Sequence, residues 1–453
     1  MTHLRELDFL GDGLVTDRDI LETYRYDQAT WGDAGHPLAL ARPRSTEEVQ
    51  KLVAWAGHRR VPIVPRGAGT GISGGANAVE GCIVLSLERM KRILTLDGAG
   101  LIAVVEPGVI NGDLKAAALE RGCFYPPDPA SFASSSLGGN VATNAGGLCC
   151  AKYGVTGDYV LALEAVLGDG TVLRTGSRSR KDVAGYDLKR LLVGSEGTLG
   201  VVTEITFRLR RRPPPASTLV ASFPTLEASA RAVLAIVRAV EPRLLELMDR
   251  HAVRAVEDYA QLELDVSAGA LLFAQGDATI PGELSAMQAA CESAGATFVA
   301  TAVDEQEAQL LLNARRLAFP ALERLGAVLA DDVAVPLPAL AEMFRRIEAA
   351  SRENETFVAT VAHAADGNLH PLVVFDRNDA AAVERAVRTF ERLMADALEL
   401  GGTITGEHGV GSLKRAFLPR QVGPVSLALQ RSIKQAFDPH GILNPGKVLA
   451  PRA

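Results

Sequence analysis

The stretch "PRGAGTGISGG", Pro65 to Gly75, holds five glycines in eleven residues. It lies between "VPIVP" and "CIVLSL", two Val/Ile-rich runs that read as strands. A glycine string after a strand invites a Rossmann reading. That fingerprint needs G-x-G-x-x-G opening a helix, and an acid about 20 residues on. Here Gly67, Gly69 and Gly71 are spaced by two, and "ISGGANAVEGCIVLSL" continues as loop and then strand. The fingerprint therefore fails in detail, which argues against a NAD-type Rossmann domain. The physics of the loop remains: without side chains, consecutive backbone amides approach an anion and form a nest. With Arg66 beside it, the loop suits a pyrophosphate. A plain turn explains one such loop equally well.

Two more glycine clusters follow, "SLGGNVATNAGG" (136–147) and "VGSEGTLG" (193–200). Around them lie the predicted strands "LIAVVEPGV", "YVLALEAVLGDGTVLRTG" and "VVTEITFRL". "STEEVQKLVAWAGHR" predicts a helix whose capping box is Ser45 with Glu48. Residues 1–212 thus read as a mixed α and β domain with glycines in its loops. "RLRRRPPP" (208–215) reads as a linker with solvated arginines. Beyond it, helical patterns alternate with strands. "TLEASARAVLAIVRAV" predicts a helix and "AGALLFAQGD" a strand. "DEQEAQLLLNARRLAFPAL" predicts a helix ending near Pro320. "AAAVERAVRTFERLMADALELGG" predicts a long helix closed by Gly401 and Gly402. The fold class is α+β, with a second α+β domain over 213–420 and a C-terminal segment over 421–453.

A chain of 453 residues exceeds one ordinary core. With 47% hydrophobic and 22% charged residues it has a globular composition. A net charge of −7 argues against a nucleic-acid binder. No apolar run reaches the roughly 18 residues of a membrane helix, and the first twenty residues lack a signal-peptide core. The five cysteines form no CxxC pair, so neither a disulfide framework nor a zinc or iron–sulfur site is indicated. A cytoplasmic location is expected.

Two of the eight histidines sit in "TFVATVAHAADGNLHPLVVFD". Asp366-Gly367 between apolar runs is a hairpin signal. With those two at the turn centre, His363 faces His370, with Cβ atoms about 4.5–5.5 Å apart. "TGEHGVG" (405–411) adds Glu407 and His408 between glycines. A His₂Glu set suits Zn²⁺, Mn²⁺ or Fe²⁺ and leaves positions open for substrate, with His408 available as a base. A cross-strand histidine pair and a helix-ending turn are the alternatives.

"PRGAGTGISGG", "PPDPASFASSSLGGNVATNAGG", "KYGVTGDYV", "GYDLKRLLVGSEGTLGVVTEITFRL", "HAADGNLHP", "GEHGVG" and "FDPHGILNPGK" occur in this order. Together they resemble the FAD-linked 2-hydroxyacid dehydrogenases of glycolate-oxidase and D-lactate-dehydrogenase type, in the vanillyl-alcohol-oxidase superfamily. The resemblance covers residues 20–449. It implies an FAD-binding domain of that type and a cap domain. It places Arg66, Gly67, Ala68, Gly69, Thr70 and Gly71 on the FAD pyrophosphate. Ser136, Leu137, Gly138, Gly139, Asn144 and Gly147 would lie along flavin and diphosphate. Lys152 to Gly154 and Glu196, Gly197, Gly200 and Val202 would continue the cleft, joined by Asn444 of the last motif. Thr70 stands where covalently flavinylated relatives carry histidine, which implies non-covalent FAD; His36 is the one early alternative.

The same resemblance makes His363, His370 and Glu407 metal ligands and His408 the general base. Arg315, rather than Arg316, would meet the substrate carboxylate. Ala330 and Leu372 replace a lysine and an asparagine found in some relatives. Both changes remove polar contacts and favour a small acid, glycolate or D-lactate, over D-2-hydroxyglutarate. A metallohydrolase with purely structural glycine loops is the rival class. Electrons would leave through an acceptor protein or quinone by way of partner subunits, with peripheral membrane contact through them.

Overall fold

Strand Ile63–Arg66 leads into the glycine-rich stretch. It pairs in parallel with Ile83–Ser86, which pairs in parallel with Ala39–Ala41. Parallel neighbours need a crossover of a dozen or more residues, usually a helix. In this computed structural model, which describes residues 2–302 and 304–450, the crossover is residues 67–82 and contains no helix. The strands themselves are covered. Ala39–Ala41 and Ile83–Ser86 are buried throughout, under Val49, Leu52, Val53 and Ala56 of helix Thr46–Arg59.

That helix starts as expected, with Ser45 Oγ accepting from Glu48 N at 3.3 Å. The reciprocal half of the box differs: Glu48 Oε2 accepts from Arg44 N at 2.7 Å instead of from Ser45. At the sheet's edge, Ile63 N donates to Ile442 O and Asn444 N donates to Ile63 O, so the end of the chain continues the sheet. A second sheet is antiparallel, in the order Ile93–Asp97, Ile102–Val105, Val201–Arg208, Val160–Val166, Val172–Gly176.

The chain packs as two units. The first takes the residues up to Gly146, then Val155–Pro213, and then the chain from Glu407. The second takes Gly147–Gly154 and Pro214–Gly406. The return to the first unit thus comes at Glu407, ahead of the boundary at 420 read from the sequence. The excursion at Gly147–Gly154 has no counterpart in that reading.

The second unit is built on an antiparallel sheet in the order Phe298–Thr301, Ala216–Phe223, Ala270–Asp277, Leu244–Asp249, Phe357–His363, Asn368–Phe375, Ala327–Ala330. Val333–Ala334 also pairs with Asn368–Phe375. The helix expected to end near Pro320 ends at Arg316. A second helix, Ala318–Glu323, then holds Pro320 in its first turn, where a missing N–H costs no intrahelical bond.

Asp249 joins three of these elements. It ends strand Leu244–Asp249 and caps helix Arg250–Ala260, with Oδ1 accepting from Ala252 N at 2.7 Å. Its Oδ2 accepts from Thr360 N, also at 2.7 Å, in the strand that ends at His363. Losing a cap costs about 1 kcal/mol and an unpaired buried amide about 1–3 kcal/mol. Asp249→Ala should therefore lower stability by about 2–4 kcal/mol, read as a drop in the urea midpoint. Burial pushes this carboxyl up to about 7 from 3.8. Between those values the folded state holds the proton more tightly, so the group's contribution falls as pH rises toward 7. Asp249→Asn should remove that slope from a plot of stability against pH.

Candidate active site

The hairpin carrying the two histidines forms, but in a different register. His363 pairs with Asn368, and His370 pairs with Val361. Residues 364–367 make a four-residue loop in place of the expected two-residue turn. The Ala364 amide explains this: it donates to Leu245 O at 2.7 Å, on the adjoining strand, instead of across the hairpin. Gly367, at φ +78°, accepts from Val335 N at 3.0 Å. A shift of two residues keeps every side chain on its face. His363 and His370 therefore remain on one face as diagonal neighbours, ring centroids 5.0 Å apart and nearly perpendicular. Both are 5% exposed.

Each histidine has a buried carboxylate at Nδ1. Glu246, fully buried, lies opposite His363 on the next strand, with Oε1 at 2.7 Å from His363 Nδ1. Asp332, also fully buried, has Oδ1 at 3.6 Å from His370 Nδ1, an electrostatic contact longer than a hydrogen bond. Asn368 Nδ2 donates to Asp332 Oδ1 at 2.8 Å. Thr405 Oγ1 and Gly406 N donate to Asp332 Oδ2 at 2.6 and 3.0 Å. A carboxylate at Nδ1 fixes the ring and directs Nε2 to the task of binding a metal. Sequence reasoning missed both acids. The available signals were an acid in the middle of the largely apolar "LLELMD" and paired acids inside "AVLADDVAVP".

Arg315 is 7% exposed, and its Nε ion-pairs with Glu246 Oε2 at 2.9 Å. Arg316 is half-buried, with Nη1 at 3.4 Å from Asn313 Oδ1. Ala330 and Leu372 are direct cross-strand partners and both are buried. Lys152 was expected along the flavin cleft. Its Nζ donates to Asp277 Oδ2 at 2.8 Å, and Asp277 also pairs with Arg243. Gly147 and Gly154 bound this excursion into the second unit.

In the first unit, Arg66 is 8% exposed and its guanidinium lies 5.5 Å from the Tyr24 ring centroid. Its Nη1 is buried with no hydrogen-bond partner. Gly69, at φ +77°, has no room for a Cβ, which would fall 2.2 Å from Arg66 Nη2. A Cβ on Gly67 would fall 2.3 Å from Ser136 Oγ, which itself accepts from Gly139 N at 3.3 Å. Gly138 is pressed against Pro107. Ala68 is exposed; Thr70 and Gly71 are half-buried. An unpartnered buried guanidinium nitrogen in a cradle of glycines fits an anionic group such as a diphosphate.

The remaining candidates hold backbone. Asn144, at φ +53°, accepts from Gly157 N through Oδ1 at 2.8 Å. Leu137 and Val202 are core side chains, and Gly200 packs on Leu192. Gly197, at φ +70°, follows Glu196 and packs on Pro65. Glu196 is buried, and burial pushes its carboxyl up to about 7. Asn444 Nδ2 donates to Glu196 O at 2.7 Å and Gly75 O at 2.9 Å. His408 accepts from Ser73 Oγ through its carbonyl at 3.0 Å, and its Nε2 lies 3.7 Å from Glu407 Oε1. His36 is largely exposed beside Glu80.

Residues 37–176 match the FAD binding domain family, and residues 212–448 match the C-terminal domain of FAD linked oxidases. This chain is an FAD-linked oxidase. Its relatives include glycolate oxidase subunit GlcD of Bacillus subtilis (strain 168), 42% identical over 94% of this chain and 92% of that protein. The probable mitochondrial D-lactate dehydrogenase of Danio rerio is 36% identical, over 91% of this chain and 84% of that protein. Among solved structures, substrate-bound p-cresol methylhydroxylase covers 99% of this chain and 96% of its own, with a TM-score of 0.83 at 19% identity. That likeness bears out the expected FAD-binding fold of vanillyl-alcohol-oxidase type. As an oxidoreductase family member, the oxidase leaves no place for the rival hydrolase. Among its described residues no helix is long and apolar enough to cross a membrane.

A diphosphate seated in this glycine cradle would meet the Arg66 guanidinium as its counter-charge. Hydrogen bonds to charged groups contribute about 1.5–3 kcal/mol. Arg66→Met should weaken FAD binding by roughly 10- to 100-fold, measured by flavin titration of the apoprotein.

Proposed function

We propose that this oxidase converts a small 2-hydroxy acid, glycolate or D-lactate, to the 2-oxo acid. The observation that carries the reading is the histidine pair on one sheet face, each ring backed by a fully buried carboxylate. Each carboxylate is held by protein donors of its own, and a carboxylate so fixed behind an imidazole is the arrangement that supports metal-binding histidines. Relatives named as glycolate oxidase and D-lactate dehydrogenase support the substrate class.

In this reading His363 and His370, joined by Glu407, hold a divalent ion, Zn²⁺, Mn²⁺ or Fe²⁺. A metal there would supply a Lewis acid for a hydroxyl, and FAD, held non-covalently, would supply the hydride acceptor. The remaining work falls to the protein. Glu246 and Asp332 orient the two imidazoles. Arg315, steered by Glu246, supplies the positive charge that holds the substrate carboxylate. His408 accepts the hydroxyl proton on an imidazole nitrogen, whose affinity for protons suits neutral pH. The substrate thus loses one proton and one hydride, and the Cα–O bond becomes a carbonyl. Ala330 opposite Leu372 offers no polar group to a distal carboxylate, which favours glycolate and D-lactate over D-2-hydroxyglutarate. Electrons then pass to an acceptor protein or quinone through partner subunits, at the membrane surface or in the cytoplasm.

Anaerobic flavin bleaching tests this. Glycolate or D-lactate should bleach the flavin, and a chelator should slow the reaction. Faster bleaching by D-2-hydroxyglutarate than by both small acids would overturn the substrate assignment. His408→Ala should slow bleaching by about 10²–10⁴-fold with FAD still bound. Acid precipitation should release all the flavin. Glu246→Gln should lower metal affinity by roughly 10- to 100-fold, read as metal content after dialysis.

A further inference from the structure

Glu196 was assigned by resemblance to the cofactor cleft, yet its carboxylate is already engaged. Oε1 accepts from Val410 N at 2.7 Å and Oε2 accepts from Gly411 N at 2.8 Å. Its backbone is held equally firmly: Glu196 N donates to Ala142 O at 2.7 Å, and Glu196 O accepts from Asn444 Nδ2. Glu196 adopts φ +51°, a conformation that a side chain disfavours and that persists only where the surroundings enforce it. The turn that receives this carboxylate is shaped for it. A Cβ on Gly409 would fall 2.8 Å from Glu196 Oε1, and a Cβ on Gly411 would fall 2.0 Å from Ser73 O. Ser73 grips the same turn from its other side. Its hydroxyl donates to His408 O, and its carbonyl accepts from Ser412 N and Leu413 N at 3.1 and 3.3 Å.

We propose that Glu196 is a positioning residue for His408: it fixes the turn behind that histidine by accepting two consecutive amides. The inference rests on the reading of His408 as the base. Gly409 and Gly411 of "GEHGVG" are then explained by the clamp, since a Cβ at either position would strike Glu196 or Ser73. A carboxylate is suited because both oxygens accept, and charge-assisted bonds to amides are the stronger kind. A glutamine at this position keeps the shape but sets an NH₂ donor against an amide donor.

The experiment measures anaerobic flavin reduction by glycolate and D-lactate in Glu196→Gln, His408→Ala and the double variant, with bound FAD quantified in each. Glu196→Gln should keep its FAD and an unaltered flavin spectrum. Its limiting reduction rate should fall by roughly 10- to 100-fold with little change in half-saturating substrate. The double variant should be no slower than His408→Ala. Losses that multiply in the double variant, loss of FAD, or a wild-type rate in Glu196→Gln would overturn the clamp. If His408→Ala alone reduces its flavin normally, the base assignment fails, an outcome distinct from failure of the clamp. Should Glu196→Gln not accumulate as folded protein, Ser73→Ala cuts the other tie to the turn and carries the same expectations.

Discussion

A parallel strand pair joined without a helix is the constraint on which the first unit depends. Ile63–Arg66 and Ile83–Ser86 run the same way, so the chain must travel back over residues 67–82 before it re-enters the sheet. A helix would satisfy its own amides on that return. A loop leaves amides and glycine Cα atoms facing outward from the strand end. Arg66, at the last position of its strand, is drawn into this loop and buried, with Nη1 lacking a protein partner. The same geometry that spoils a Rossmann fingerprint thereby builds a seat for an anion. Ser73, Gly74 and Gly75 of the loop then reach residues 408–413 and Asn444, so the crossover also organises the end of the chain.

The second unit solves a different problem, the burial of charge. Glu246 and Asp332 are inaccessible to water, and an isolated carboxylate in such a place would take up a proton. Each is instead surrounded by donors. Glu246 lies between His363 and Arg315; Asp332 receives Asn368, Thr405 and the Gly406 amide. Removing one member leaves the others buried and unpaired, a larger loss than the pairing itself contributes. The rigidity that follows suits a site whose two imidazoles must keep one orientation.

How much of this was legible varied with the range of the interaction. Local signals read well. The strands flanking the glycine clusters and the Ser45 cap lie where their residues place them, and a hairpin forms around Asp366-Gly367. The hairpin register was not legible, because the Ala364 amide is claimed by Leu245, a neighbour chosen by the sheet and not by the hairpin. Glu48 likewise found Arg44 N, one residue from the expected partner. The excursion at Gly147–Gly154 has the glycine-rich look of the first unit, and its packing, the Lys152–Asp277 pair included, reveals its other allegiance. Glu246 was hidden because an acid inside a strand acquires meaning only when His363 is known to lie opposite.

The joining of Ile63 to Ile442 and Asn444 has a consequence for biosynthesis. Strand Ile63–Arg66 is an edge of its sheet until the final residues of the chain arrive to pair with it. On a ribosome adding ~5–20 residues per second, the intervening chain takes roughly twenty seconds to over a minute to appear. Throughout that interval one side of this strand lacks its partner, and open edges of that kind recruit other chains. The second unit, whose main segment ends at Gly406, is completed first. Residues 442–444 thus close an edge whose strand is made long before them, and the first unit cannot complete that edge until the second unit's main segment has been synthesised.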